Sequence, residues 1–302
     1  MIFNNFQFLI IVLLSPLVQG IIKKLKALGQ GRVGAGIFQP YLDLIRLFRK
    51  GMVISKTASR VFHAAPFVVF LSTLAACALV PVISANAEVF GLGDVIALFY
   101  TLALGRFFLV LAGLDAGTAF GGEGSSREAM VAILVEPMIM LAVFTAAVAG
   151  HSTSAAQLAS NPHIYSSPAY VLAFCAFYVA LIAETGRIPV DNPDTHLELT
   201  MIHEGMVLEY SGGYLALLEW AHWMKQMLLF TLAADLFFPF GIGMDPVRAF
   251  VLYSVKMAVL GAALALTETS RAKLRIFQLP SLLGGAFVLA LLSIISVIAL
   301  QR

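Results

Sequence analysis

Long apolar runs, each of about twenty residues, alternate with short polar stretches along the whole chain. They fall near 2–22, 64–84, 94–113, 129–150, 168–186, 215–239, 247–267 and 281–300. A helix rises 1.5 Å per residue, so about 20 residues cross a hydrocarbon core of about 30 Å. The pattern predicts an all-α integral membrane protein with about eight transmembrane helices, their ends placed to within a few residues. Recurring Phe, Leu, Ala and Gly suit helices packed closely in lipid. Alternating segments of about ten residues, the mark of a membrane β-barrel, do not occur. No internal repeat or low-complexity linker divides the chain, so 1–302 reads as a single polytopic domain.

One stretch breaks the rhythm. Residues 38–50, FQPYLDLIRLFRK, are too few and too charged to span. Leu42, Ile45, Leu47 and Phe48 form an apolar stripe, with Asp43, Arg46, Arg49 and Lys50 around the rest. That predicts an amphipathic helix lying in the membrane interface. Gly29, Gly31, Gly34 and Gly36 ahead of it supply a flexible approach.

Composition agrees. Hydrophobic residues make up 60% of the chain and charged residues 12%, with mean hydropathy +0.91. Soluble domains carry about 25% charged residues, and half that fraction leaves too little polar surface to coat a globule of this size. The net charge of +2 says less than its placement. Lys23, Lys24, Lys26, Arg32, Arg46, Arg49, Lys50, Lys56 and Arg60 follow the first run, Arg127 the third, Arg187 the fifth, and Arg271, Lys273 and Arg275 the seventh. The intervening connections near 85–93, 151–167 and 240–246 hold no Lys or Arg. By the positive-inside rule the basic connections are cytoplasmic, in the cell inner membrane if the host is bacterial. Eight spans then put both termini on the outer, periplasmic side. No Lys or Arg precedes the first run, which therefore reads as a membrane helix rather than a cleavable signal peptide.

Cys77 and Cys175 lie inside apolar runs, with no Cys-x-x-Cys or Cys/His spacing, so no metal or iron–sulfur site is expected of this chain alone. Ionisable groups within spans cost about 2.5–3.5 kcal/mol each on insertion scales, yet Arg106, Glu136, Glu219, Lys225, Asp235 and Lys256 all fall there. Glu184 and Glu268 sit at the cytoplasmic ends. Asp235, Glu268 and Arg248 lie near helix ends, where snorkelling to an interface accounts for them. Glu136, Lys225 and Lys256 are deeper, and paired ionisable groups inside a bundle are the substance of proton paths. Glu136 precedes Pro137, whose missing N–H frees a carbonyl and favours a kink. Glu219, His222 and Gln226 share one helical stripe with Lys225 on its margin, although an interfacial belt of Trp220 and Trp223 would explain the same stripe. Lys256 calls for a carboxylate partner on another helix.

The densest signal is the connection from Ala183 to Gly213, AETGRIPVDNPDTHLELTMIHEGMVLEYSGG. It holds Glu184, Asp191, Asp194, Glu198, Glu204 and Glu209, with His196 and His203, against Arg187 as its one strong base. The interleaved Leu197, Leu199, Met201, Ile202, Met206, Val207 and Leu208 predict that it is partly buried. Buried carboxylates in numbers have coupled, raised pKa values, which suits groups that take up and release protons. His203-Glu204 lacks the second histidine four positions on that a zinc protease requires.

GRIPVD, then Glu198, Glu204 and LEYSGG, resembles the acidic loop of the respiratory complex I subunit 1 family, and GRVGAGIFQPYLDLIRLFRK, with its amphipathic helix after the first span, resembles the same family. The resemblance runs from about Gly29 to Pro280. Gly186-Arg187 and Pro189-Val190-Asp191 stand where the NADH dehydrogenase branch has Asn-Arg and Pro-Phe-Asp. DTHLELTMIHEGMVLEYSG, FQPYLDL and SREAMVAILVEP are similar to the membrane-anchor subunits of energy-converting group 4 NiFe hydrogenases, of the formate hydrogenlyase subunit 4 and hydrogenase-4 component C type. The resemblance implies a non-catalytic subunit of an oxidoreductase complex. Such a subunit docks a peripheral arm and helps couple electron transfer to proton or sodium translocation. Its implied partners are NiFe hydrogenase large and small subunits, a ferredoxin-like iron–sulfur subunit and antiporter-like membrane subunits. The NiFe centre and iron–sulfur clusters belong to those partners, and no cofactor or nucleic acid is expected on this chain.

By resemblance Glu136, Glu184, Asp191, Glu198, Glu204 and Glu209 fall in the family's acidic funnel. Glu219, His222, Lys225 and Lys256 join them as coupling candidates, and Arg32, Gln39, Asp43, Arg46, Arg187 and Arg271 are the docking candidates. The alternative reading is a quinone-site subunit of a complex I-like NADH dehydrogenase. A free-standing transporter would show inverted repeats, and a bare anchor would not need the deep Glu and Lys residues.

Overall fold

The apolar runs are helices, numbered here in chain order. They are α1 (Phe8–Gly29), α3 (Arg60–Ala78), α4 (Val95–Asp115), α5 (Ala119–Gly150), α7 (Pro168–Glu184), α9 (Gly212–Phe237), α10 (Pro246–Ser270) and α11 (Leu279–Leu300). Between them lie α2 (Gln39–Arg49), α6 (Ala155–Ser160) and α8 (His203–Val207). The structure is a computed structural model that describes residues 7–54, 58–84, 93–160, 168–192, 201–241 and 244–300. Among these residues there is no named β-strand, only an isolated bridge between Asp94 and Ser154.

Among the described residues, six helices are long and apolar enough to cross a membrane: α1, α3, α4, α5, α10 and, with the 3-10 turn Ile276–Gln278, α11. This makes the chain a multi-pass membrane protein. Two of the eight predicted spans fall short on these criteria. α7 is apolar but has 17 residues, and the 26-residue α9 carries Glu219, His222, Lys225 and Gln226 near its middle.

Helix starts follow local capping chemistry. Ser59 Oγ accepts from the Val61 amide at 3.1 Å, Asp94 Oδ1 from Ile96 at 2.8 Å and Thr118 Oγ1 from Gly121 at 3.2 Å. The Thr118 cap moves the start of α5 to Ala119, ten residues ahead of the predicted run. About 15 Å of polar helix therefore projects beyond the apolar segment. Arg127 and Glu128 lie on this helix rather than in a connection.

Alternate connections gather at one end, as the charge pattern requires. There Lys273 Nζ reaches Asp191 at 2.6 Å, the Ser211 hydroxyl pairs with the backbone of Val53, the Ser59 amide donates to Asp115 at 2.9 Å, and Arg127 donates to the Met201 carbonyl at 2.8 Å. At the other end Gln7 Oε1 accepts from the amides of Val82, Ile83 and Ser84.

α9 is the central helix. It packs on α1, α2, α3 and α7 and is buried almost all round from Met224 to Phe237. The polar residues near its middle therefore meet protein rather than lipid, which is what makes them tolerable. The outside is apolar, with Leu13, Phe107, Ile133, Val171 and Val259 more than half exposed. α2 buries Pro40 and Leu44, Leu44 joining Ala216 and Trp223 of α9, while Leu42, Ile45 and Phe48 face outward for lipid.

The turn into α2 rests on Gly20 of α1. A Cβ at Gly20 would lie 1.9 Å from the Ile37 carbonyl oxygen, whereas one at Gly36 would meet nothing within 4 Å. Gly20→Ala is expected to lower the unfolding midpoint in detergent, by the about 1–3 kcal/mol typical of overpacking. Gly36→Ala should leave it unchanged in the same thermal melts.

Candidate functional site

Arg106 of α4 points into the bundle, and three carboxylates converge on it. Its Nε lies 3.5 Å from Glu128 and its Nη1 2.5 Å from Glu136, both on α5, and its Nη2 bonds Glu184 at the end of α7. Lys225 Nζ, from α9, lies 2.7 Å from the same Glu184 oxygen. Three carboxylates thus face two cations, and one added proton brings the group to neutrality. The Arg106 and Glu184 side chains are almost fully buried, whereas that of Glu136 is 49% exposed. The cluster therefore runs from the interior to an open face of α5. A cavity of about 250 Å³ lined by Tyr100, Arg106, Glu136, Pro137, Met140 and Glu184 marks that face. α5 continues as one helix through Pro137.

A second cavity adjoins the first through Leu102, Arg106 and Glu184 and extends to Asp191, His203 and His222. A third, of about 130 Å³, shares Gly186, Asp191, His203 and His222 with the second, and Lys23, Lys26, Glu204, Glu219 and Glu268 line it. The His203 and His222 rings stand 4.5 Å apart at this junction. Titratable side chains thus line three adjoining cavities from Lys23 and Glu204 at the polar end to Glu136 on the flank. Groups spaced in this way can pass protons through intervening water.

Two buried groups frame the polar end. Arg187 donates to Gln19 and Gln226 at 2.6 Å each, and its Nη1 lies 3.5 Å from Glu268, whose other oxygen lies 3.1 Å from Lys26. It thereby ties the loop to α1, α9 and α10. Asp191 accepts from the amides of Asn192, Ile202 and His203 and pairs with Lys273, which fixes the start of α8 and the position of His203.

The predicted coupling residues separate into three groups. Glu136, Glu184, Asp191, Glu204, Glu219, His222 and Lys225 come together along the cavities. Glu209 is half-buried beyond α8 and lines none of these three cavities. Glu198 lies outside the described residues. Lys256 is far along α10, and its electrostatic partner is Asp235 of α9, a carboxylate on another helix. Gln226 leaves the Glu219–His222 stripe to bond Arg187.

Of the docking candidates, Arg32 is exposed, and Gln39, Asp43 and Arg46 form a string along α2, with Gln39 to Asp43 at 2.8 Å and Asp43 to Arg46 at 3.4 Å. Arg271 is exposed at the same end. Arg187 is 3% exposed and unavailable to a partner, because a loop that closes over the bundle buries it. Glu128 had no place among the predicted site residues, since its stretch read as a connection. Its eight-residue spacing from Glu136, two turns of one helix, was the available signal.

Residues 3–300 match the NADH dehydrogenase family. The chain belongs to that family. Within its wider range, the chain is 32% identical over 301 residues to formate hydrogenlyase subunit 4 of Escherichia coli (strain K12), covering 97% of each chain. It is 36% identical over 274 residues to hydrogenase-4 component C of the same organism, covering 90% of this chain and 86% of that one. Among solved structures, a chain of the membrane-bound sulfane sulfur reductase, an archaeal respiratory membrane complex, superposes with a TM-score of 0.84 over 96% of both chains at 17% identity. At that identity the likeness speaks for the fold.

Breaking a buried pair leaves an uncompensated charge, at a cost of about 3–5 kcal/mol. Asp191→Ala, which also strands three amides, is expected to reach that range. Lys273→Ala should cost less, and the double variant less than the sum, in thermal unfolding of the detergent-purified protein.

Proposed function

We propose that this chain is the membrane subunit of a complex I-like NiFe hydrogenase of the formate hydrogenlyase type. It holds the peripheral redox arm on its polar end and couples that arm's chemistry to ion translocation in neighbouring membrane subunits. Near-full-length similarity to two hydrogenase-type relatives supports the complex. The series of titratable cavities from Glu204 to Glu136 supports the coupling role and is the observation that carries it.

In this reading all eight long helices cross the inner membrane, α7 and α9 as interior members of the bundle, and both termini face the periplasm. The alternation of basic and non-basic connections supports that orientation. Exposed Arg32 and the Gln39–Asp43–Arg46 string of α2 meet the arm, an iron–sulfur subunit and the hydrogenase subunits, while the NiFe centre stays with those partners. A charge change beside the polar end alters the occupancy of Glu204, Glu219 and the His203–His222 pair. Those groups then bias the Arg106 cluster, which holds one proton more or less depending on their charge. Glu136 presents the result at the flank, where antiporter-like subunits adjoin.

Two measurements test this. Complexes carrying Glu136→Gln or Glu184→Gln are expected to keep evolving hydrogen while inverted vesicles lose the accompanying ion gradient; an intact gradient in both would sink the coupling role. Purification in mild detergent is expected to bring down a NiFe large subunit. An NADH-oxidising flavoprotein in its place, with sensitivity to quinone-site inhibitors, would reassign the chain to the quinone-reducing branch.

A further inference from the structure

α10 and α11 follow one another in the chain but barely touch. α10 packs on α1 and α9, whereas α11 packs on α5 and α7. The two therefore splay, and a cleft opens between them with α7 as its back wall. It forms a cavity of about 380 Å³ lined by Val179, Ile182, Pro189, Leu274 and Leu282, with Arg271 at its mouth. The walls are fixed. Tyr178 and Thr267 hydroxyls meet at 3.4 Å across α7 and α10, and the Leu274 amide donates to the Pro189 carbonyl at 2.9 Å above.

Some of the bases at this end are already paired. Lys26, Arg187 and Lys273 are committed to Glu268 and Asp191. Arg271 and Arg275 are exposed, and neither forms an ion pair with a described residue. Phe277, two residues on, is 94% exposed, as an aromatic anchored in a headgroup layer would be. An apolar slot in a membrane protein, with one unpaired guanidinium lining it and a second four residues along the same connection, fits an amphiphile with an anionic head.

We propose that the α10–α11 cleft holds one anionic phospholipid, its acyl chain against Ile182, Leu274 and Leu282 and its phosphate on Arg271 and Arg275. The site lies apart from the cavity series of the coupling path. The lipid fills the splay between the two last helices and braces the 271–278 connection, whose Lys273 holds Asp191.

The whole complex, delipidated in mild detergent, would be titrated with phosphatidylglycerol or with phosphatidylcholine of the same acyl chains, and retained lipid counted by native mass spectrometry. Wild type should retain one phosphatidylglycerol that Arg271→Gln/Arg275→Gln binds about thirtyfold more weakly, from about 1 kcal/mol per guanidinium at about 1.4 kcal/mol per tenfold. Phosphatidylcholine should not replace it, and inorganic phosphate should not compete at millimolar levels. Leu282→Trp, filling the slot while keeping the arginines, should also lose the lipid. Equal retention by wild type and the arginine variant would overturn the proposal. So would equal binding of the two lipids, displacement by phosphate, or cross-linking of a cysteine at Arg271 to a protein subunit in the intact complex.

Discussion

Inside a bilayer a carboxylate is held by whatever cation reaches it, and here much depends on one guanidinium. Arg106 meets Glu128, Glu136 and Glu184, from two helices other than its own, and Lys225 from a fourth closes the group. A planar, permanently charged fork can serve three carboxylates at once, as a lysine could not. Such a cluster is a poor source of stability, because desolvation offsets most of the attraction. On the proposed function, its value lies in setting three interior carboxylates against two bases, an arrangement sensitive to charge nearby.

The polar end follows a different logic. Arg187 and Asp191, four residues apart in the loop, are both buried and bond different partners. Arg187 ties the loop to α1, α9 and α10, and Asp191 ties it to Lys273 and to the amides that begin α8. His203 is thereby set against His222, where two cavities meet. The root of the acidic loop is thus tied to the bundle by Arg187 and Asp191, while Glu204 farther along lines a cavity opposite Glu219 of α9.

Hydropathy and period made the helices legible, since a run of twenty apolar residues has few other fates. The alternation of basic connections likewise anticipated which of them share an end. Three things escaped. The polar first third of α5 read as a connection, because a helix leaving lipid loses its hydropathy signal while its caps and packing keep it helical; Glu128 went with it. Arg187 read as a surface charge, because its partners Gln19, Gln226 and Glu268 come from three distant segments. Glu184 was visible as an acid, but that it shares Arg106 with Glu136 is a tertiary fact with no local trace. The Lys256 requirement for a carboxylate on another helix was readable, because a lone cation in a span demands one.

Where the bundle stays apolar decides which way charge can travel. Beyond Lys225, the next ionisable group on α9 is Asp235, ten residues or about 15 Å farther on. Between them the Gln226 Oε1 is taken by Arg187, and the Thr231 hydroxyl by Met227 and Tyr253. Fully buried Met227, Leu228, Leu229 and Phe230 fill the same stretch. Water entering there would find few partners, and a buried water needs two to four. Toward α5 the opposite holds, since the cavities adjoin and Glu136 is half exposed at the flank. On the proposed function, protonation changes that begin at the acidic loop therefore leave sideways through Glu136 to adjoining membrane subunits. The Asp235–Lys256 pair stands apart from that route.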